Sequence, residues 1–397
     1  MYSILLAVIY AAFISLGLPD SLLGAAWPAM QPGMAVPVSA VGIVSMIISL
    51  GTVVSSLMSD RLNRRMGTGV VTAVSVLMTA VALMGFSLSG SFWQLCIWAV
   101  PYGLGAGGVD AALNNYVALH YSSRHMSWLH CFWGIGVSVG PYIMGQCLLH
   151  GFPWGSGYKI ISVIQFLLAA VIFISLPLWT RVHGKETYLS DYKKDNTKSA
   201  DKPVGLLHVM KIRGVPFVLI SFCVYCALES ATGLWASSFF AACRGIDTET
   251  AASLASLYYI GITVGRFACG FIADRVGDRM LVRIGLITVI CGAGFIIIPV
   301  SSVVLACVGI VICGVGSAPV YPSVIHSTPD NFGAENSQAI IGVQMASAYV
   351  GTTFIPPLFG LISEKTGMFI YPFFIILLAV VVLISTETVG KTVKKEH

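Results

Sequence analysis

The sequence predicts an all-α membrane protein of twelve spanning helices arranged as two pseudo-symmetric six-helix bundles. Three observations predict it: the composition, the recurrence of long apolar runs, and a short charged element that occurs twice. Hydrophobic residues make up 56% of the 397 and charged residues 10%, with a mean hydropathy of +0.86. No water-soluble domain of this length carries such a surface, so a soluble enzyme is excluded and lipid is the expected solvent. A bilayer core of about 30 Å takes roughly 20 apolar residues per helix. The runs here are continuous rather than short and alternating, which selects helices over a β-barrel.

In chain order the runs place spans at 3–26, 39–58, 68–90, 92–118, 127–149 and 158–179, then at 214–242, 250–272, 280–300, 302–326, 338–362 and 366–386. The first lacks a basic leader and exceeds a signal-peptide core, so it is expected to stay in the mature chain. The fifth carries Gly136, Gly140 and Pro141, residues that permit close helix approach and bending. Between the sixth and seventh runs, Arg181 to Arg213 is hydrophilic and holds Lys193, Lys194, Asp195, Lys198, Asp201 and Lys202 without an apolar face. The expected division is a bundle over 1–180, a linker over 181–213, a second bundle over 214–390 and a tail over 391–397. Pro319, Pro322, Pro356 and Pro357 are expected to bend helices of the second half.

Lysine and arginine set the orientation, because positive charge is retained on the cytoplasmic side. Arg61, Arg64, Arg65, Arg124, the linker cations, Arg275, Arg279, Arg283, Lys391, Lys394 and Lys395 share one side, against Lys159, Arg244 and Lys365 on the other. Both termini are therefore expected in the cytoplasm of a multi-pass inner or plasma membrane protein. This placement accounts for the net charge of +5, so basicity gives no separate support for nucleic-acid binding. The ten cysteines fall mostly inside spans, and Cys223 and Cys226 read as helix packing rather than redox or metal chemistry.

The repeated element divides the chain. Gly51, Asp60 and Arg61 recur as Gly265, Asp274 and Arg275, each 214 residues on, with a further glycine at Gly67 and Gly277. Ser59-Asp60-Arg61-Leu62-Asn63-Arg64-Arg65-Met66-Gly67 resembles a degraded form of the loop between the second and third helices of the major facilitator superfamily. Gly270-Phe271-Ile272-Ala273-Asp274-Arg275-Val276-Gly277-Asp278-Arg279 is the better copy. Within that superfamily, Gly17-Leu18-Pro19-Asp20, the stretch from Gly103 to Asn115, and Trp128-Leu129-His130-Cys131-Phe132-Trp133-Gly134 resemble the fucose and glucose proton-symporter branch. The resemblance implies the superfamily's twelve-helix fold and transport by alternating access, with the paired Asp60, Arg61, Asp274 and Arg275 gating the inner side.

Gly103, Gly105 and Gly108 fit a dinucleotide fingerprint, but they lie in an apolar span with no preceding strand, so no cofactor is expected. The informative residues are the charges inside spans, each of which costs at least about 2.5 to 3.5 kcal/mol to insert. These are Asp20, Asp110, Glu229 and Arg266. A carboxylate in a partly dry cavity can take up and release a proton. The resembling symporters have an acid at the place of Asp20 and a glutamate at that of Asp110, which makes both candidates for proton coupling; which of them couples stays open. Glu229, with Trp235 close behind it, is a candidate for solute contact, since hydroxyls need strong acceptors and the apolar sugar face stacks on rings. Arg266 either neutralises an acid or belongs to the gate. Asn114, Asn115, His130, Trp133, Gln344 and Tyr321 complete the candidate solute site.

Together these residues predict secondary active uptake of a small-molecule solute, a hexose or related sugar, with a coupling proton or sodium. An exporter of amphipathic compounds, an uncoupled transporter and a lipid flippase are the alternatives on this fold. No nucleophile–base set or phosphate loop points to an enzyme.

Overall fold

Continuous apolar sequence in lipid must satisfy its backbone internally, and helices result. The computed structural model describes residues 2–20, 22–36, 40–191, 206–246, 248–298 and 303–393. Their helices in the first half are α1 (Tyr2–Asp20), α2 (Leu22–Met34), α3 (Val41–Met66), α4 (Thr68–Leu88), α5 (Phe92–His120), α6 (Ser123–Leu149) and α7 (Trp154–Asp191). There follow α8 (Leu206–Val209), α9 (Val215–Arg244), α10 (Thr248–Val276), α11 (Asp278–Ile297), α12 (Val303–Ser317), α13 (Val320–His326), α14 (Thr328–Phe332), α15 (Ala334–Thr366) and α16 (Tyr371–Val393).

Eleven stretches among the described residues are long and apolar enough to cross a membrane, with α1 and α2 sharing one (Ile4–Trp27) and α12 and α13 another (Val303–His326). Helix α5 is the twelfth. Its 29 residues span about 44 Å at 1.5 Å each, and its glycines, Asp110, Asn114 and Asn115 dilute its apolar character. Four helices run well past their expected ends, α2 reaching Met34 rather than 26 and α16 Val393 rather than 386. Helix α3 continues past 58 to Met66, so Arg64 and Arg65 lie in its last turn, and α7 continues past 179 to Asp191, into the segment read as linker. Lys193, Lys194, Asp195, Lys198, Asp201, Lys202, Lys394 and Lys395 lie outside the described residues.

The chain divides into two units, Met1–Tyr116 with Phe132–Gly205, and Val117–Cys131 with Leu206–His397. In the first unit α4 packs along α7, and α1 also meets α7. The α5 glycines make further close contacts. Gly103 and Gly107, one turn apart, lie against the α3 backbone at Ile48 and Thr52, while Gly105 and Gly108 lie against Ser75 of α4. Small residues on two faces thus let α5 sit close to both neighbours, the role of small-residue spacing in lipid-embedded helices. Thr52 Oγ1 donates to the Gly103 carbonyl at 3.1 Å and ties the α3 contact.

In the second unit α9 packs against α15 and α16, and α12 against α10 and α11. The repeated element has the same local structure in both units. Gly51 of α3 abuts Gly103 and Leu104 of α5, and Gly265 of α10 abuts Val315 of α12. The turns that follow are single residues: Gly67 at φ 78°, ψ 151° and Gly277 at φ 80°, ψ 149°. That region is open essentially to glycine alone. Each turn glycine also donates its N–H one helical turn back, to Asn63 and Ala273 at 2.8 and 2.9 Å.

Candidate functional site

In the first unit, Asp20 is the last residue of α1, and its position depends on how α1 meets α6. Gly17 lies against the Trp133 carbonyl, and Gly136 and Gly140 lie against the α1 backbone from Ile14 to Leu18. This close approach brings the Trp133 indole to Asp20, where Nε1 donates to Oδ2 at 2.8 Å. From α5, the Tyr102 hydroxyl donates to Oδ1 at 3.3 Å. Asp20 is exposed, and a bare carboxylate is not tolerated against hydrocarbon. Both donors are neutral. Asp110, also in this unit, is buried, and Asn114 Nδ2, one turn on, donates to its Oδ1 at 2.7 Å. Asn114 and Asn115 are buried on the same helix. Among the described residues neither Asp20 nor Asp110 has a cationic partner within ion-pair distance.

The second unit treats its acid differently. Glu229 on α9 forms an ion pair with Arg266 on α10, with Nη2 at 3.1 Å from Oε2 and 3.4 Å from Oε1. The arginine side chain is 4% exposed and the glutamate 20%, so Glu229 is the more accessible of the two. The Tyr225 hydroxyl, one turn before Glu229, lies 2.6 Å from Oε2 and 2.7 Å from the Ser317 carbonyl. Tyr258 donates to Ser317 Oγ at 3.1 Å. Tyr321 joins the group through its ring, 6.5 Å from that of Tyr225, and meets Phe222 and His130 at 4.7 and 4.6 Å. Its hydroxyl contacts Met345 Sδ at 3.3 Å.

Two other candidates have packing partners. Trp235 donates Nε1 to the Pro356 carbonyl at 3.0 Å and lies against Phe359, with its ring over Gly360. Gln344 is fully buried and accepts from Thr328 Oγ1 at 3.1 Å.

The two copies of the charged element also differ. Asp60 is buried and pairs with Arg64 of its own helix at 2.8 Å. Asp274 accepts from Ser122 Oγ, from the Arg124 backbone N–H and from Arg124 Nη2, each at 3.1 Å. Arg61 and Arg275 are exposed, and the ion pairs are made by Arg64 and Arg124 instead. Four consecutive residues of the α5–α6 turn are held in this unit. Besides Ser122 and Arg124, Ser123 donates to Asp278 Oδ1, and the Tyr121 carbonyl lies 3.0 Å from His326 Nε2. His326 Nδ1 lies 2.6 Å from Asp278 Oδ2. Both ring nitrogens face acceptors, an arrangement satisfied fully only by the imidazolium.

Sequence reasoning missed Tyr102, Tyr225, Tyr258, Asp278 and His326. Tyr225 had a signal in its spacing of four from Glu229, which puts both on one helix face. Tyr102, Tyr258 and His326 reach their partners from other helices, and no spacing marks them.

A family model for the Major Facilitator Superfamily matches residues 9–242 and 217–396. The sialic acid transporter NanX of Escherichia coli is 26% identical over 61% of this chain and 60% of its own length. The hexuronate transporter of Bacillus subtilis is 21% identical over 89% of this chain and 86% of its own. The crystal structure of FucP, the fucose:proton symporter of E. coli, superposes with a TM-score of 0.77 at 13% identity, covering 97% of this chain and 98% of that one.

Proposed function

The chain belongs to the major facilitator superfamily, and on that premise we propose that it is a proton-coupled secondary transporter that takes up a sugar by alternating access. The observation that carries this reading is the contrast among its membrane carboxylates. Glu229 is neutralised by Arg266, whereas among the described residues the side-chain partners of Asp20 and Asp110 are an indole, a phenol and an amide, none of them cationic. A membrane carboxylate without a counter-ion is most cheaply neutralised by a proton, and that proton is what a symporter carries. Asp20 is the coupling residue in this reading, because it is the exposed one and a proton must reach it from water. Asp110, buried on α5, is the second acid.

The sugar part rests on the residues that surround the charges. In the first unit Tyr102, Asn114 and Asn115 offer hydrogen bonds beside the ring of Trp133, and in the second the Tyr225 hydroxyl lies beside the ring of Tyr321, which meets His130; each unit thus offers the combination of polar groups and flat apolar faces that polyhydroxylated solutes require. Three proteins similar to this chain are named for sialic acid, hexuronate and fucose, which agrees with a sugar and leaves its identity open. Asp60, Asp274 and their arginines are assigned to opening and closing the inner side, with both termini cytoplasmic.

The test is uptake of labelled sugars into proteoliposomes under an imposed pH gradient, acid outside. Accumulation above the outside concentration, collapsed by a protonophore, is expected. Accumulation that follows a sodium gradient and ignores pH would reassign the ion. Equilibration without accumulation under either gradient would contradict coupling.

A further inference from the structure

We infer that the ion pair of Arg266 and Glu229 is the recognition point for a carboxylate on the solute, so that the transported sugar is an acidic one, and Glu229 occupies the arginine when no solute is bound. The inference rests on the sugar-transport reading above and narrows its substrate class.

Three features of the pair point to an exchangeable anion rather than a fixed strut. The first is its uneven exposure. Arg266 is 4% exposed and Glu229 20% exposed, so of the two charges the glutamate is the more open to an arriving anion, which would displace it to reach the guanidinium. The second is its geometry. Glu229 touches the guanidinium through one nitrogen, Nη2, shared between both carboxylate oxygens at 3.1 and 3.4 Å. The strong arginine–carboxylate contact is a two-nitrogen fork with shorter bonds, and a solute carboxylate that adopts it gains over the resident one. The third is the Tyr225 hydroxyl, whose oxygen lies 2.6 Å from Glu229 and 2.7 Å from the Ser317 carbonyl. A phenol has one proton to donate. Two acceptors at that range compete for it, so Glu229 is seated with a weaker set of hydrogen bonds than its contacts number.

A pair of this kind is also poorly explained by stability alone. Desolvating two ions cancels most of their attraction, and an apolar pair of similar volume would serve a membrane helix interface as well or better. The ring of Tyr321 beside Tyr225 supplies a surface for the apolar face of a pyranose. A cation with a neighbouring ring and hydroxyls matches a hexuronate or another sugar acid better than a neutral hexose.

The experiment is equilibrium binding to the purified protein at about pH 7 with matched pairs of probes, glucose with glucuronate and galactose with galacturonate. For the unmodified chain, at least one uronate is expected to bind about tenfold or more tightly than its hexose, the value of a hydrogen bond between charged groups. Arg266→Lys retains the charge but not the fork, and should erase most of that preference. Glu229→Gln removes the resident anion and should tighten uronate binding several-fold, a direction that a purely structural pair does not produce. Equal affinities within both pairs, or weaker uronate binding in Glu229→Gln at an unchanged melting temperature, would overturn the inference while leaving a sugar transporter. Binding of none of the four probes by folded protein would overturn both the inference and the sugar reading beneath it.

Discussion

Asp20 and Glu229 are both carboxylates inside apolar helices, and their partners decide what each can do. An indole and a phenol stabilise Asp20 without cancelling its charge, while Arg266 cancels that of Glu229. In the proposed reading the first changes its protonation state as part of a cycle, and the second gives up its arginine to another anion. Tyr225 ties Glu229 to α12 through the Ser317 carbonyl. Tyr225→Phe removes the one proton that this carbonyl and Glu229 share, and should lower stability by roughly 1 to 3 kcal/mol, measured as a reduced melting temperature in detergent. Trp235 offers a contrasting case, since its N–H is already spent on the Pro356 carbonyl. Trp235→Phe should cost about 1 kcal/mol of stability and leave solute affinity unchanged in a binding assay; a large loss of affinity at an unaltered melting temperature would put the indole in the solute site. The four charges were legible in the sequence because lipid makes each one costly. That Arg266 belongs to Glu229 was not decidable from sequence, because the two residues lie on different helices and spacing carries no information across helices.

Helix approach, rather than helix formation, is what the glycines control. Gly140 lies against the Leu18 carbonyl, where a Cβ has no room, whereas Gly145, one turn further along α6, has nothing within 4 Å. Gly140→Ala should therefore push α6 from α1, separate Trp133 from Asp20 and impair transport, with a lowered melting temperature. Gly145→Ala should be neutral or stabilising by up to about 1 kcal/mol, since alanine favours the helix. A neutral Gly140→Ala would show that the α1–α6 contact does not fix the indole. The glycine–proline signature of the fifth span was readable as close approach, but its partner helix was not. The repeated element was legible through the 214-residue register of Gly51, Asp60 and Arg61 with Gly265, Asp274 and Arg275, and the near-identical backbone at Gly67 and Gly277 explains the glycine that closes each copy: a one-residue turn in a glycine-only conformation leaves the sequence no alternative.

At the scale of the whole molecule, the two copies of that element diverge in their partners. Asp60 closes an ion pair within α3, while Asp274, with Asp278 and His326, holds the turn from Tyr121 to Arg124. The sequence marked both aspartates and could not show the difference, because Ser122, Ser123 and His326 are unremarkable by type. Asp274→Asn should increase deuterium exchange across residues 117–131, and Asp60→Asn should leave that segment unchanged. Equal exchange in both variants would remove the turn from the gate. The proposed proton coupling is a property of the whole transporter and is tested by one comparison. Asp20→Asn mimics a permanently protonated carrier, which can reorient when loaded but cannot release the ion. Counterflow and pH-driven accumulation of the same labelled sugar, measured side by side in proteoliposomes for the parent, Asp20→Asn and Asp110→Asn, separate the two steps. The account predicts that Asp20→Asn retains counterflow and loses accumulation; accumulation equal to the parent in both variants would contradict proton coupling through these acids.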